Sequence, residues 1–138
     1  MRATIHDCVW VTLPELNGTE GNIISLKENT ELPFELKRVF YLYDIPGGEA
    51  RGGHAHKACH QFMIAVSGSF DILLDDGINK SRVHLNDPKV GLHVPPGVWD
   101  AEENFSNDAI CLVIASHTYL EADYIREYED YLKYQDAQ

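Results

Sequence analysis

Eight short apolar segments, each closed by a turn composition, leave this chain few folds to choose from. They cover residues 5–13, 22–26, 38–43, 61–66, 70–74, 82–85, 90–94 and 109–116. Between them stand Asn17-Gly18, Gly47-Gly48, Asp75-Asp76-Gly77 and Pro95-Pro96-Gly97. Glycine adopts positive φ without steric cost, proline presets its own φ, and Asn and Asp side chains bond their own backbone, so a chain reverses at such places. Many short strands at near-regular spacing, with no helical period among them, predict an all-β sandwich or barrel. Residues 70–74 and 81–85, on either side of Asp75-Asp76-Gly77, predict a hairpin.

The last stretch follows another period. From Asp123 onward, Tyr124, Ile125, Tyr128, Tyr131 and Leu132 recur at three- and four-residue steps, and Glu129 with Lys133 forms an i,i+4 pair. With Asp123 as N-cap, this predicts one amphipathic helix over about residues 123–134. Its tyrosines are expected in the core or against a second subunit. At 138 residues the chain is expected to be a single domain, 1–138, large enough to bury a core without disulfides or metal.

Composition excludes several classes. The start, Met1 to Cys8, has no apolar h-region, and no apolar run approaches the roughly 18 residues of a membrane span. A cytoplasmic protein is expected. Cys8, Cys59 and Cys111 are widely spaced and form no C-x-x-C, which argues against disulfides and cysteine zinc sites and for buried thiols. A net charge of −11 argues against nucleic-acid and anionic-membrane partners. One local exception stands out: Lys37, Arg38, Arg51 and Lys57 gather within residues 37–57, against Asp44 and Glu49 alone.

That window holds the chemistry. His54 and His56, separated by Ala55, would point to one face of a strand, because strand side chains alternate with period two. The apolar run Phe62 to Val66 follows, ended by Ser67-Gly68, so the pair is expected to open a buried strand. Neutral imidazole is a common ligand for Zn, Fe, Ni or Cu, and it is also the side chain that titrates nearest neutrality. The residues alone leave metal binding, proton transfer and a polar sheet rim open. The flanking glycines, Arg51 and Lys57 favour a ligand that approaches the backbone closely.

A second block lies at Gly91 to Asp100, followed by Asn104. Together the two blocks resemble the two-motif signature of the cupin superfamily. Gly48, His54, His56 and Gly68 fit the first motif, with Gln61 where a metal-binding Glu would stand. Pro95, Gly97 and Asn104 fit the second, with Asp100 in place of its His. The resemblance implies that metal-dependent cupins use three His and one Glu, of which this chain keeps two His. His54, His56 and Asp100 could still form a two-His-one-carboxylate set, the second reading of the site.

A closer resemblance spans nearly the whole chain. It rests on residues 33–41, Arg51 to Lys57, Gly68-Ser69, Val90 to Val94, Val98-Trp99, Asn104 to Ser106, Ala115-Ser116 and Asp123 to Arg126. These blocks look like the sugar-nucleotide 3,4-ketoisomerases, the WxcM-like or FdtA/QdtA-type cupins. The resemblance implies a jelly-roll sandwich with a C-terminal helix, a homodimer, no metal and no cofactor. It also implies conversion of a dTDP-linked 4-keto-6-deoxy sugar into its 3-keto isomer. The product would pass to an aminotransferase, toward a 3-amino-3,6-dideoxy sugar for surface polysaccharide such as lipopolysaccharide O-antigen.

The residue types suit that reaction. Moving a ketone from C4 to C3 requires removing the C3 proton, passing through an enediol and protonating C4, which needs positioned bases and no redox cofactor. By motif position His54 would be the principal base, with His56 as second acid/base or as its orienter. Arg51, Tyr41 or Tyr43 would stabilise the enediolate. Arg51, Arg38 and Lys57 would meet the diphosphate. Gln61, Trp99 and Asp100 complete the expected substrate contacts.

The chain departs from the family pattern at three positions: Phe40 where some relatives carry Tyr, Asp100 where Arg or His is common, and Glu20 where Tyr or Arg occurs. Any role of a hydroxyl at Phe40 would then be absent here or be supplied by Tyr41 or Tyr43. The two acidic changes raise a third reading, a non-catalytic sugar-nucleotide-binding cupin.

Overall fold

Where apolar residues face two ways, the chain must sit between two layers. The computed structural model describes residues 2–138. Its strands are β1 (Val9–Thr12), β2 (Glu15–Gly18), β3 (Gly21–Ile24), β4 (Arg38–Tyr43), β5 (Arg51–His56), β6 (Gln61–Ser67), β7 (Phe70–Asp75), β8 (Lys80–Leu85), β9 (Val90–Val94), β10 (Trp99–Glu103), β11 (Ile110–Ala115) and β12 (Tyr124–Ile125). One helix, α1 (Tyr128–Asp136), closes the chain. Two five-stranded antiparallel sheets, β1-β9-β6-β11-β4 and β12-β5-β10-β7-β8, face each other as the expected jelly-roll sandwich. The hairpin β2-β3 stands apart from both.

Strand β6 shows why. Met63 and Ala65 bury into the core between the sheets, with Phe70, Ile72, Leu92 and Val113. Phe62 and Ile64 face the other way and bury under Leu13, Leu32 and Phe34. Burial on both faces explains an unbroken apolar run. The expected hairpin is present, paired from Phe70↔Leu85 to Asp75↔Lys80. Its turn is tied by Asp76, whose carboxylate accepts from the backbone N–H of Ile5, Ile78 and Asn79 at 2.8–2.9 Å.

Three expectations change. The segment at 5–13 begins as a 3₁₀ turn, Ile5–Asp7, capped by Thr4, before β1. The histidine pair does not open the apolar strand: it ends β5 in one sheet, and residues 57–60 lead to β6 in the other. The helix starts at Tyr128 and not near Asp123, because the Asp123 carboxylate accepts from Ala58 N (2.7 Å) and Cys59 N (3.3 Å) and so caps no helix. A 3₁₀ turn, Glu121–Asp123, and the short β12 take the place of the expected first turns.

Helix α1 fastens the second sheet. The buried Tyr131 hydroxyl donates to the carbonyl of Asp75 or Gly97 (3.0 and 2.7 Å), and buried Gln135 donates to Ala3 O and Asp76 O (3.0 and 2.9 Å). Among the described residues, no helix is long and apolar enough to cross a membrane.

Candidate active site

Period two puts both imidazoles of β5 on its inner face, as expected. Their ring centroids lie 5.1 Å apart at 84°. Tyr124 of β12 lies against both, at 5.0 Å from His54 and 4.3 Å from His56. The same parity on β10 turns Asp100 and Glu102 inward, and Asp100 is the register partner of His54. A cavity of about 470 Å³ opens here, lined by Arg38, Phe40, Arg51, His54, Gln61, Glu102, Tyr124 and Arg126.

Each histidine has its own carboxyl. His56 Nδ1 lies 2.9 Å from Asp123 Oδ2. Burial alone would raise the Asp123 carboxyl, yet the hydrogen bonds from His56, Ala58 and Cys59 hold it below its ordinary range. An ionised carboxylate only accepts, so the His56 proton sits on Nδ1 and Nε2 carries the lone pair. His54 Nε2 is 3.8 Å from Asp100 Oδ1 and makes no hydrogen bond. Burial, then the neighbouring His56 and Arg126, push the His54 pKa down to about 4. Burial also lowers His56, against the pull of Asp123. Both rings are therefore neutral at pH 7, and each has a buried Nε2 without a hydrogen-bond partner.

The carboxyls on β10 move the other way. Burial and the nearby Glu102 push Asp100 well above the usual carboxylate range. Burial raises Glu102 to about 7, opposed by its own backbone and by Arg51. Asp100 therefore favours its neutral acid form.

The cations form a rim. Arg38 stacks its guanidinium 4.5 Å over Phe40 and reaches the Tyr124 hydroxyl at 3.5 Å. Arg126 lies 4.3 Å over the Tyr124 ring and pairs with Glu121 at 2.6 and 2.9 Å. Arg51 is exposed at the mouth. Lys37 instead pairs with Glu35 in solvent.

Of the expected site residues, His54, His56, Arg38, Arg51, Gln61 and Asp100 converge. Gln61, which replaces the cupin glutamate, is 5% exposed and lines the cavity. Four others do not join them. Tyr41 and Tyr43 alternate onto the outer face of β4, 60% and 59% exposed, so neither can replace a hydroxyl at Phe40; the hydroxyl in the cavity is that of Tyr124. Trp99 points outward and packs on Tyr128 and Tyr131 of α1, at 5.3 and 5.5 Å. Lys57 is exposed in a separate groove beyond Tyr124, with Lys133. Glu20 lies exposed at the tip of the β2-β3 hairpin.

The sequence reading missed Asp123, Tyr124, Arg126 and Glu102 as site residues. Asp123 to Arg126 had been assigned to the helix, although that block carried part of the family resemblance. Asn104 of the second motif holds a left-handed turn (φ 56°) and donates to Asp71 Oδ2 at 3.2 Å. The described His, Cys and Asp donors that converge within 4.8 Å are His56, Cys59 and Asp123, not the His54, His56 and Asp100 of the metal reading.

The family model described as FdtA: WxcM-like, C-terminal matches residues 6–136. The TDP-4-oxo-6-deoxy-alpha-D-glucose-3,4-oxoisomerase of Aneurinibacillus thermoaerophilus is 40% identical over 124 residues, covering 90% of this chain and 89% of that protein. The WlaRB TDP-quinovose 3,4-ketoisomerase from Campylobacter jejuni is 42% identical, with a TM-score of 0.89 over 94% of this chain and 99% of that one. A mutant of the 3,4-ketoisomerase QdtA from Thermoanaerobacterium thermosaccharolyticum, in complex with TDP-4-keto-6-deoxyglucose, is 30% identical, with a TM-score of 0.94 over 98% of both chains.

Proposed function

The chain belongs to the FdtA, or WxcM-like C-terminal, family, and on that footing we propose that it is an isomerase converting a TDP-4-keto-6-deoxyhexose to its 3-keto isomer. The observation that carries this reading is the buried, neutral His54, whose Nε2 has no protein partner beside a cavity rimmed by arginine. A base must be unprotonated and must carry a lone pair, and a neutral imidazole meets both conditions.

His54 takes the C3 proton, and the C3–H electron pair moves into the C3–C4 bond as negative charge develops on O4. The Arg38 guanidinium and the Tyr124 hydroxyl, already paired at 3.5 Å, are the donors available to that oxygen. The proton on His54 passes to O4 and gives the enediol. His56, held by Asp123, serves as the second acid/base, taking the O3 proton as a second acid of the site protonates C4, and the imidazolium afterwards returns a proton to that acid through solvent. No electrons leave the sugar, so no redox cofactor enters the balance. Arg51 and Arg126 at the mouth are the cations for the diphosphate.

The ketone made at C3 is the group an aminotransferase replaces, which places the product on the way to a 3-amino-3,6-dideoxy sugar of a surface polysaccharide. We assign a homodimer as the working form. Val39, Tyr41 and Tyr43 on the outer face of edge strand β4, and Leu16 and Ile23 on the free hairpin, are 49–72% exposed, apolar surface that a second copy would cover. Sedimentation would show a species near twice 15.6 kDa.

The activity is tested by adding purified protein to TDP-4-keto-6-deoxyglucose and following the proton NMR spectrum. A new 3-keto species supports the reading. Tight binding without a new species would replace it with the non-catalytic one.

A further inference from the structure

Proton transfer by His54 and His56 leaves two buried acids of the site unused. Asp100 and Glu102 stand two residues apart on β10, on one face, 1% and 5% exposed. Both Asp100 carboxyl oxygens and Glu102 Oε2 lack any hydrogen-bond partner. The backbone makes room for them: Gly52 adopts φ +82°, and a Cβ there would collide with the Glu102 carboxyl. Two adjacent carboxylates in so dry a place cannot both ionise without a cation bonded to them.

The groups that face the pair supply none. From β5 come neutral His54 and exposed Arg51, which attracts Glu102 without bonding it. From β11 comes the Cys111 thiol and from the N-terminal segment the Cys8 thiol, both pushed up by burial and therefore uncharged. Arg38 on β4 is engaged with Phe40 and Tyr124, Arg126 with Glu121, and Gln61 on β6 is neutral. Glu49 at the mouth adds a like charge.

We propose that Asp100 is the acid that delivers the C4 proton, and that Glu102, beside it on the same face, is a positioning residue whose charge keeps Asp100 protonated. This rests on the ketoisomerase reading above. In the second half-reaction the Asp100 O–H bond breaks and its electron pair stays on the carboxylate. The enediol π pair forms the C4–H bond, and the O3 proton leaves to His56 Nε2 as the C3 carbonyl forms. The imidazolium then returns a proton to the carboxyl pair through solvent, so charge and protons balance over a turnover.

The test uses full-length Asp100→Asn and Glu102→Gln with TDP-4-keto-6-deoxyglucose in deuterated water. Asp100→Asn is expected to lower kcat by about 10²- to 10⁴-fold while deuterium still enters C3 of recovered substrate, because only the second half-reaction loses its acid. Glu102→Gln removes the neighbouring charge, so Asp100 ionises earlier. The alkaline limb of the kcat–pH profile then moves about one pH unit toward acid, with KM little changed. With an active wild type, unchanged profiles in both variants overturn this inference alone. A wild type that binds but never turns over overturns the ketoisomerase reading together with Asp100 as its C4 acid. Carbon-13 NMR of labelled Asp and Glu in the substrate-free wild type gives a separate decision: a protonated Asp100 carboxyl at pH 7 supports the assignment, and an ionised Asp100 at pH 6 refutes it.

Discussion

His54 with His56, and His60 with His93, are two buried or half-buried pairs whose ring centroids are separated by the same 5.1 Å. In the second pair the rings stack at 14°, His60 Nδ1 lies 2.9 Å from His93 Nε2, and Phe34 packs on both. In the first pair the rings meet edge-on, and each turns to a carboxyl: His56 to Asp123, His54 to Asp100. Burial lowers all four pKa values, those of His54 and His93 to about 4. A depressed pKa therefore does not mark a catalytic base. The partner does: in the second pair one ring spends its lone pair on the other, while in the first pair the rings do not bond each other and both Nε2 atoms are without a partner.

The sharpest way to break this contrast is to exchange the pairs' fates by mutation. His54→Asn should lower kcat by about 10²- to 10⁴-fold, with the fold and TDP binding kept, as steady-state kinetics and calorimetry would show. Asp123→Asn should cost about 10- to 100-fold in kcat with little change in KM, since an amide still orients His56 but does not offset an imidazolium charge. Retention of full rate would leave Asp123 a purely structural residue. His93→Gln should leave kcat within about two-fold and lower Tm by a few degrees, the scale of about 1 kcal/mol from one buried hydrogen bond.

Acid should expose what the two pairs share. The folded pKa values of His54 and His93, about 4, lie below the 6.5 of an unperturbed imidazole, so the unfolded chain binds more protons between pH 6.5 and 4 and stability falls as pH drops through that window. Glu102, raised from 4.5 to about 7, acts in the opposite sense: its contribution is full below pH 4.5 and is lost as pH rises toward 7. Urea midpoints at pH 7 and pH 5 should therefore differ less in His93→Gln than in the wild type. An unchanged difference would remove His93 from the account of acid sensitivity.

The same contrast explains what could be read in the sequence. Segments 61–66, 70–74, 82–85 and 90–94 were legible because β6 buries both faces and because β7 and β8 flank a strong turn. Strands β5 and β10 were not, although they hold the site. Their inward residues are His54 and His56, and Asp100 and Glu102, so the apolar period that betrays a strand is replaced by the chemistry it carries. The His-Ala-His spacing and the cupin-like blocks located the centre, but not the reach of its shell. Parity alone would have separated Arg38 from Tyr41 and Tyr43, since β4 alternates strictly. Nothing local tells an Asp that caps a helix from one that holds a histidine 67 positions earlier.

The most direct measurement is the proton NMR time course of TDP-4-keto-6-deoxyglucose in deuterated water with wild type, His54→Asn and His93→Gln side by side. With wild type and His93→Gln, deuterium should appear at C4 of a growing 3-keto species and at C3 of recovered substrate, and none should enter with His54→Asn. Exchange at C3 by His54→Asn at the wild-type rate, or its loss in His93→Gln, would contradict the assignment of catalysis to His54 with His56.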